Sequence, residues 1–535
     1  MVDKDELSIL NANGVSNLKI IGHLTVLSGL LGIFLLFSCS NELSFRQVNS
    51  NELSFSKDTI YLDTVFTNIG SSTYTLKVYN KTKDDIQIPN IYLENGESSN
   101  FRLNVDGISG KNFNNVEILA RDSMYVFIET TVDIKTLSDN ETQFLYEDKI
   151  KFSDVGEVNL MTLVLDAIFL YPKKNNQGIK ETIQIGTNVE GDNIEIEGFY
   201  LNDDQLIFTS EKPYVIYGYM AIPSHKKAIF EAGSRLYFHE NSGIVVANNA
   251  SVSINGELSN NPEKMEGEVI FQGDRLESEY DNIPGQWGTV WLTFGSKNHI
   301  INNLTIKNAS IGILVDGSGN SANENLILRN TQIHNSSYIN LWAKNAFIRS
   351  ENSVFGNAGQ YSFLANLGGN YSFTHCTFAN FWDYSYRSSP SVFVSDFILL
   401  NDNSVLTEAL TKGYFENCII DGNQPTEYFV EKNGNEEFNL KVINSSIKFN
   451  LSENYTDENS FFDWQNENFY SNIFLNKKSS FINIENNNFG IDQNSEVLNK
   501  GSTNGAYNVP KDLNGFFRSE TIDLGAYQHV IVDID

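Results

Sequence analysis

A short motif with a nearly fixed spacing recurs through the second half of this chain, and it constrains the fold more than any other feature. The motif is an asparagine, two further residues and a large apolar residue. Successive copies are separated by 20 to 27 residues, a spacing that a run of β-hairpins would not hold. The anchor positions are Asn308, Asn330, Asn352, His375, Asp396, Asn417, Asn444, Asn466 and Asn486, and the apolar positions are Ile311, Ile333, Phe355, Phe378, Leu399, Ile420, Ile447, Phe469 and Phe489.

A β-rich repeat of about 22 residues predicts one coil of a right-handed parallel β-helix, which makes the chain an all-β solenoid protein. Each coil would stack about 4.8 Å above the last, so equivalent residues would form ladders along the axis. Asparagine suits the bend of a coil because it tolerates the left-handed backbone conformation and can bond to the asparagine above it. A leucine-rich horseshoe is the alternative solenoid, but the repeats lack its leucine spacing.

The segment before the repeats has a shorter periodicity. Between Phe55 and Tyr171, runs of alternating apolar and polar residues are separated by turn residues. Thr75–Tyr79, Asp85–Ile88 and Tyr125–Thr130 are examples of these runs. About seven short strands in about 120 residues are typical of an immunoglobulin-like β-sandwich.

An apolar run near the N-terminus, Leu24–Phe37, has the length of a signal-peptide core. Leu36 lies three residues before Cys39 and Ser38 lies immediately before it, which resembles a bacterial lipobox. On this interpretation Cys39 becomes the lipidated first residue of a mature protein in the cell envelope, at the outer membrane. The alternative is an uncleaved transmembrane anchor, because Ile20–Ser38 is just long enough to span a bilayer.

These patterns divide the chain into four parts. We expect a lipoprotein-type signal peptide at 1–38, a tether at 39–54, the sandwich at 55–172 and the β-helix with a C-terminal cap at 173–535. The tether assignment rests on the polar, non-periodic sequence after Cys39.

The charge balance excludes some partners. The chain has 37 basic and 67 acidic residues, for a formal net charge of −30. Such a charge repels nucleic acid, so no nucleic-acid partner is expected, and we expect a monomer. Calcium is the one cofactor that the acidity leaves open. The sequence does not localise it, and the acidic segment 274–281 is typical of a solvated loop rather than of a calcium site.

Two rare residue types stand side by side at His375 and Cys376, and Cys418 follows the anchor Asn417 in the same way. Because the repeat places one anchor, Asp396, between these two cysteines, they are predicted to lie two coils, about 9.6 Å, apart. That separation exceeds what a disulfide tolerates, so two free, packed thiols are expected. The spacing also lacks a zinc-site pattern, and no metal site is predicted.

The best candidate for ligand binding is the bulge that follows this coil, Ala379–Arg387. Aromatic side chains here could stack on sugar rings, and charged side chains could fix hydroxyl or carboxylate groups. The alternative is a loop that packs its aromatic residues onto the solenoid. The candidate ligand-binding residues are Trp382, Asp383, Tyr384, Tyr386 and Arg387.

Several stretches resemble known bacterial proteins. FTNIGSSTYTLKVYN with LARDSMYVFIETTV is similar to immunoglobulin-like domains of the choice-of-anchor type. PYVIYGYMAI, GSRLYF, GQWGTVWL and DLGAYQ resemble a family of Bacteroidetes-type lipoproteins that carry a right-handed β-helix. The closing DLNGFFRSETIDLGAYQ is similar to the segment that caps many such helices. The resemblance implies a right-handed β-helix and a location in the cell envelope, but no established activity.

Three functions remain open for such a chain. The leading hypothesis is a membrane-anchored envelope lipoprotein whose β-helix binds glycan or another surface partner without catalysis. A polysaccharide lyase or glycoside hydrolase on the same scaffold is the alternative, although the aspartate-rich and His-Gly motifs of polygalacturonase-like enzymes are absent from the sequence. The third is a structural or adhesion component of the envelope.

Overall fold

A computed structural model describes residues 44–138, 140–188, 190–262, 264–319, 323–400, 402–451, 460–519 and 521–529. The predicted signal peptide and the predicted lipidation residue Cys39 lie outside these ranges. Within them, no helix has both the length and the apolar composition needed to cross a membrane.

The N-terminal part contains eleven strands in two sheets. A six-stranded sheet has the order β1-β5-β10-β11-β3 with β8 paired to β5, and a five-stranded sheet has the order β2-β4-β9-β6-β7. Their bounds are β1 (Arg46–Gln47), β2 (Leu53–Phe55), β3 (Thr59–Phe66), β4 (Tyr74–Asn80), β5 (Ile86–Leu93), β6 (Phe101–Val105), β7 (Ile108–Gly110), β8 (Asn112–Ile118), β9 (Ser123–Thr130), β10 (Gln143–Phe152) and β11 (Gly156–Leu165).

The sandwich follows from alternation along its strands. In β4, Leu76 and Val78 are fully buried, and in β9 Val126 and Ile128 are fully buried, whereas the residues between them are more exposed. This is the pattern of strands with one face on a core and one in water. The tether assignment is wrong for residues 46–54, because β1 pairs with β5 and β2 pairs with β4.

The remaining strands build the solenoid. Their bounds are β12 (Ile168–Leu170), β13 (Thr182–Thr187), β14 (Asn193–Tyr200), β15 (Ile207–Phe208), β16 (Tyr214–Ile216), β17 (Tyr219–Ile222), β18 (Lys227–Glu231), β19 (Arg235–Phe238), β20 (Gly243–Val246), β21 (Ser251–Asn255), β22 (Val269–Gly273), β23 (Trp287–Leu292), β24 (His299–Asn302), β25 (Leu304–Lys307), β26 (Ala309–Asp316), β27 (Leu326–Arg329), β28 (Gln332–Ser336), β29 (Ile339–Lys344), β30 (Phe347–Glu351), β31 (Val354–Ala358), β32 (Tyr361–Asn366), β33 (Gly369–Thr374), β34 (Thr377–Asn380), β35 (Val392–Ser395), β36 (Phe397–Leu399), β37 (Val405–Thr407), β38 (Leu410–Glu416), β39 (Ile419–Gly422), β40 (Tyr428–Glu431), β41 (Phe438–Ile443), β42 (Ser446–Ile447), β43 (Tyr470–Ser471), β44 (Phe474–Leu475), β45 (Phe481–Asn483) and β46 (Asn488–Ile491). One short helix, α1 (Thr503–Asn508), follows them.

Apart from the two antiparallel hairpins β36–β37 and β45–β46, these strands form three long sheets, to which successive strands of the chain contribute in turn. Face A has the order β12-β16-β19-β22-β25-β28-β31-β34-β39-β42-β44, face B has β13-β14-β17-β20-β23-β26-β29-β32-β35-β40, and face C has β15-β18-β21-β24-β27-β30-β33-β38-β41-β43. Apart from the antiparallel β13–β14 pair, the strand pairs within these faces are parallel, as in β25–β28 and β33–β38. The chain is therefore an all-β protein with a parallel β-helix. Its core is the apolar column between the three faces, in which Phe355 stacks on Phe378 and Phe373 stacks on Phe415.

The corner between face C and face A carries the asparagine ladder. Each of its residues has a positive φ, which asparagine adopts at little steric expense. Asn352 donates to Asn330 at 3.1 Å, and Asn417 bonds to the ring of His375 at 2.8 Å. The ladder residues are Asn303, Asn330, Asn352, His375, Asn417, Asn444 and Asn472.

Four of the nine predicted anchors lie outside this ladder. Asn308 belongs to the corner between faces A and B, in register with Asn335 and Asn357. Asp396 follows β35 at the third corner, where its carboxylate accepts from the backbone N–H groups of residues 433 and 434. Asn466 and Asn486 lie between strands rather than at the corner, and the ladder continues at Asn472 instead, which donates to Asn444.

The C-terminal segment, residues 477–529, lies along the solenoid and contacts its middle coils. Phe489 packs with Val354 and Ala379 on the outer side of face A. Side-chain and backbone groups of the segment also bond to the ladder, to the corner between faces A and B, and to strand β28 of face A. The bonded pairs include Asn352 with the carbonyl of Lys511, His375 with the carbonyl of Gly525, Asn417 with Ser502, Asn357 with Asn487, and Gln332 with Tyr527. The C-terminal segment, which the sequence predicts to be a cap, thus contacts the side of the β-helix.

Two compact units divide the chain differently from the single predicted boundary at 172/173. The first takes residues up to Leu62 with Gly70–Thr131 and Glu147–Met161, and the second takes Asp63–Ile69, Val132–Tyr146 and the chain from Thr162 onward. β12, the end strand of face A, lies before that boundary.

Candidate functional site

The predicted bulge is a loop that leaves face A after β34 and enters face B at β35, so it spans residues 381–391. Trp382 is buried, and its indole N–H donates to the Ser385 hydroxyl at 3.0 Å. The next four residues, 383–386, are exposed, and Arg387 is buried again. The loop therefore has two buried ends and an exposed tip.

Arg387 holds the loop through a fully buried ion pair. Its guanidinium is 2% exposed and donates to both carboxylate oxygens of Glu427, at 2.7 and 2.9 Å. Glu427 also accepts from the backbone N–H groups of Ser391 and Gln424. Burial raises the pKa of the Glu427 carboxyl, and Arg387 opposes that effect. Arg387 is therefore an internal anchor and does not present its charge to a ligand at the surface.

The tip of the loop presents two tyrosines. Tyr386 is 88% exposed, and Tyr384 is 49% exposed with its hydroxyl donating to the carbonyl of Asn282 at 2.6 Å. The ring centroid of Tyr384 lies 5.2 Å from that of Trp382, so the exposed tyrosine packs against the buried indole. Of the five candidate residues, Asp383, Tyr384 and Tyr386 thus share an exposed surface, while Trp382 and Arg387 do not.

A stripe of apolar side chains runs along the outer side of face B, next to the point where the loop enters it. The strand register places one such residue in each successive coil. Its aromatic rings are half-buried and its leucines are buried. We call this set the face B stripe: Trp291, Leu314, Trp342, Leu364, Phe393 and Phe429.

The rings of the stripe recur regularly. Trp291, Trp342 and Phe393 occupy alternate coils, which corresponds to intervals of about 9.6 Å. Phe429 stacks on Phe393, with ring centroids 5.9 Å apart and planes at 7°. The result is a row of flat apolar surfaces parallel to the solenoid axis.

A polar row lies beside the stripe and fixes its rings. The indole N–H of Trp291 donates to Asp316 at 2.6 Å, and that of Trp342 donates to Asn366 at 3.0 Å. Lys344 lies in register between these two acceptors, with its ammonium 4.5 Å from the centroid of the Trp342 ring. The two indole rings are therefore held in place before any ligand arrives, and hydrogen-bonding groups flank them.

A second feature is a cleft of about 560 Å³ between face A and the C-terminal segment. Asp421 and Lys448 stand on neighbouring coils at its base, in register with each other. Lys448 donates to the carbonyl of Gly422, and burial raises the pKa of the Asp421 carboxyl despite the nearby Gly422 N–H and Lys448. The cleft is lined by Phe381, Asp421, Lys448, Asn476, Lys477, Lys478, Ser479, Ser480, Phe481, Ile482, Asn483, Ile484 and Glu485.

His375 and the two cysteines are placed inside the protein. His375 is fully buried in the ladder, where burial holds its pKa well below the ordinary value. Cys376 and Cys418 are both free and fully buried. The predicted two-coil separation is wrong, because β33 pairs directly with β38 and β34 with β39, so the cysteines occupy adjacent coils.

The acidic segment 274–281 does not gather its carboxylates. Asp274 pairs with His239 at 2.8 Å, and Glu277 pairs with Arg275 at 2.8 Å. Across the described part of the chain, no three histidine, cysteine, aspartate or glutamate side chains are grouped as a metal ion would require.

Sequence reasoning missed both the face B stripe and the cleft. The stripe has one signal, an apolar residue between two inward-facing apolar residues in a strand of face B, as in Val290-Trp291-Leu292. Such a run reads as a strand buried on both sides, so it does not reveal which ring faces outward. The cleft has no local signal, because its walls come from segments far apart in the chain.

No protein-family model matches the chain, and no curated protein matches it. Among solved structures, the catalytic unit of a GH87 α-1,3-glucanase from Streptomyces thermodiastaticus is 8% identical, covers 70% of this chain and 74% of that one, and has a TM-score of 0.28. A family 123 glycoside hydrolase from Clostridium perfringens is 9% identical over 22% of this chain, with a TM-score of 0.15, and this chain spans 30% of its length. A protein of unknown function from Porphyromonas gingivalis is 11% identical over 25% of this chain and 62% of that one, with a TM-score of 0.15. None of these likenesses assigns a function.

Proposed function

We propose that this chain is a lipid-anchored protein of the bacterial cell envelope whose β-helix binds an extended glycan along face B without cleaving it. It acts as a monomer, and its partners are the membrane, through the lipid, and a polysaccharide. The regularly spaced, pre-positioned rings of the face B stripe are the observation that carries the proposal.

The stripe suits a sugar polymer for three reasons. Aromatic faces pack against the apolar C–H faces of sugar rings. The neighbouring Asp316, Lys344 and Asn366 offer donors and acceptors for hydroxyl groups beside those faces. The rings recur at regular intervals, as an extended polymer with a repeating unit requires. Because the net charge of −30 repels polyanions, a neutral glycan is the favoured ligand.

A binding experiment tests this proposal. The purified chain is titrated with neutral and uronic-acid polysaccharides in affinity electrophoresis and calorimetry. We expect binding to a neutral glycan and a loss of about tenfold in affinity for Trp342→Ala, which corresponds to about 1.4 kcal/mol. Tyr507→Ala is the matched control, since Tyr507 is 85% exposed on α1 and should leave binding unchanged. Equal affinity of the wild type and Trp342→Ala would remove the stripe from the proposal, and binding to no glycan would favour a structural role.

The envelope address rests on the sequence around Cys39. Cys39→Ala should abolish labelling by radioactive fatty acid and release the protein from the membrane fraction. Continued lipid labelling of this variant would contradict the lipobox interpretation. Separation of inner from outer membranes in the same fractionation tests the outer-membrane location that the resemblance to Bacteroidetes-type lipoproteins suggests.

The cleft favours one second candidate, a polysaccharide lyase or hydrolase. A carboxyl group with a raised pKa beside a lysine is a pairing suited to proton transfer, and Asp421 and Lys448 form such a pair. Incubation with the same polysaccharides, followed by assays for reducing ends and unsaturated products, tests this candidate. New product from the wild type that is lost in Asp421→Asn would establish catalysis and replace the binding proposal.

A further inference from the structure

Two cysteines on neighbouring coils lie side by side in the interior of the solenoid, at the start and at the end of the coil that carries the exposed loop. Thr374 pairs with Glu416 and Thr377 pairs with Ile419. The register therefore sets Cys376 beside Cys418, and the repeat distance between neighbouring strands is about 4.8 Å. This distance lies within the range of Cα separations that disulfides span, about 4.4–6.8 Å.

The sulfur contacts show how closely the two side chains lie. The Cys418 thiol donates to the carbonyl of Phe373 at 3.6 Å, and Phe373 belongs to the coil of Cys376. The Cys376 thiol donates to the carbonyl of Thr374 at 3.6 Å and contacts the Ser350 hydroxyl at 3.5 Å. Cys376 also donates to the carbonyl of Ser350 at 3.6 Å, and Cys418 donates to the carbonyl of Glu416 at 3.4 Å. The bonds to carbonyl groups are the weak hydrogen bonds of thiol donors, which a covalent bond between the two sulfurs could replace.

The two thiols also influence each other's pKa in the folded protein, as expected of side chains in contact. Burial raises the pKa of the Cys376 thiol, but hydrogen bonds from Cys418 and Ser350 outweigh burial and lower it overall. Burial raises the pKa of Cys418.

Metal binding and catalysis do not fit these two thiols. His375, the adjacent histidine, already bonds to Asn417 and to the carbonyl of Gly525. The described residues supply no group of three ligands here. Both cysteines are fully buried, so no substrate reaches them.

We propose that the exported protein carries a disulfide between Cys376 and Cys418, which links two neighbouring coils across the insertion that carries the exposed loop. The inference rests on the export that is part of the proposed function, because the reaction needs an oxidising compartment. Unlike the proposed glycan binding, the inference concerns a covalent modification of the protein.

The oxidant is a disulfide-bearing thiol oxidoreductase or small-molecule disulfide of the envelope. The Cys376 thiolate attacks one sulfur of that disulfide, so a mixed disulfide forms and the first thiol leaves. The Cys418 thiolate then attacks the Cys376 sulfur, and the second thiol leaves. Two protons and two electrons pass from the cysteine pair to the oxidant, which ends as two thiols. Since both side chains are buried in the folded protein, the reaction takes place before the coils close.

Differential alkylation tests the inference. The full chain with its own leader is recovered from the membrane fraction and denatured in iodoacetamide, which blocks free thiols. It is then reduced, treated with N-ethylmaleimide and analysed by peptide mass spectrometry. We expect N-ethylmaleimide on both Cys376 and Cys418. In Cys376→Ser, we expect iodoacetamide on Cys418.

A chain produced without its leader in a reducing cytoplasm is the control, and both cysteines should carry iodoacetamide there. The same chain is also refolded with oxidised glutathione, which tests the pairing without export. If the leader-bearing chain stays in the cytosol, the proposed address fails, while this refolding still decides the disulfide. Iodoacetamide on both cysteines in the exported and in the refolded protein would overturn the inference.

Discussion

Replacing Glu427 with glutamine removes the charge that neutralises Arg387 inside the loop. The two side chains are 0% and 1% exposed, and their closest nitrogen–oxygen distance is 2.7 Å. Glutamine has nearly the same shape, so the variant leaves the packing in place, but it removes the charge and sets an amide nitrogen against N–H donors of Arg387 and the backbone. The buried guanidinium would then face only neutral acceptors, the carbonyls of Ser389 and Asn380 and the amide oxygen of Asn423.

The expected magnitude follows from the burial. Removing one partner of a buried ion pair costs about 3–5 kcal/mol, because the other charge stays in a site from which water is excluded. If this energy acts on opening of the loop, the open population rises more than a hundredfold. Hydrogen–deuterium exchange of the backbone amides of residues 381–391, followed by mass spectrometry, measures that change directly.

A double variant supplies the control. In Arg387→Met with Glu427→Met the pair is replaced by apolar groups, which is often near neutral for stability. We therefore expect the double variant to protect the loop better than Glu427→Gln alone. The reasoning is refuted if Glu427→Gln exchanges at the wild-type rate, or if the double variant is the more strongly destabilised of the two.

Three further predictions concern other parts of the solenoid. The hydrogen bond with Asp274 raises the pKa of His239 above its usual value of about 6.5. The ion pair therefore stabilises the fold fully below pH 6.5, and this contribution is lost as the pH rises through the folded-state pKa. NMR titration of His239 should give a lower pKa in Asp274→Asn than in the wild type. Gly356→Ala would place a Cβ 2.2 Å from the Phe489 ring, so it should destabilise by about 1–3 kcal/mol and increase proteolysis of the C-terminal segment, whereas unchanged proteolysis would contradict the packing. In the oxidised protein, Cys376→Ser removes a cross-link that closes a 42-residue coil and should cost about 4 kcal/mol in denaturant unfolding, with no difference expected once both proteins are reduced.

The asparagine ladder can be predicted from the sequence because the backbone conformation that favours asparagine is a local property of each corner. A corner with left-handed backbone favours asparagine whatever surrounds it, so Asn330, Asn352, Asn417 and Asn444 carry the signal, and His375 was recognised by its place among them. These positions identified the parallel solenoid and its core column.

The number of coils predicted from the sequence is wrong where two long insertions lie between one corner and the next. The coil from His375 to Asn417 is 42 residues long, because it contains both the exposed loop and the β36–β37 hairpin. This length is close to twice the repeat, so the spacing alone wrongly predicts Asp396 as an anchor between two coils. The error moved the cysteines one coil too far apart, and only strand pairing corrects it.

The candidate site was predicted in part for a related reason. The loop tip is exposed as its aromatic and polar sequence indicates, with Tyr384 and Tyr386 at the surface. The partner of Arg387, however, is Glu427, 40 residues away on the next coil, and no local pattern links them. Pairings of this kind depend on which coils become neighbours.

The ladder has a consequence for how such proteins diversify. Because strand pairing on the three faces sets the pitch and the corner residues bond to one another, the number of residues between two corners is free to vary. The 42-residue coil from His375 to Asn417 stacks as the 22-residue coil from Asn330 to Asn352 does. New recognition segments can thus be inserted at a corner without altering the frame, much as hypervariable loops are exchanged on an antibody domain. The corner between faces A and B, where the exposed tyrosines lie, is the natural place to graft a peptide in order to redirect binding.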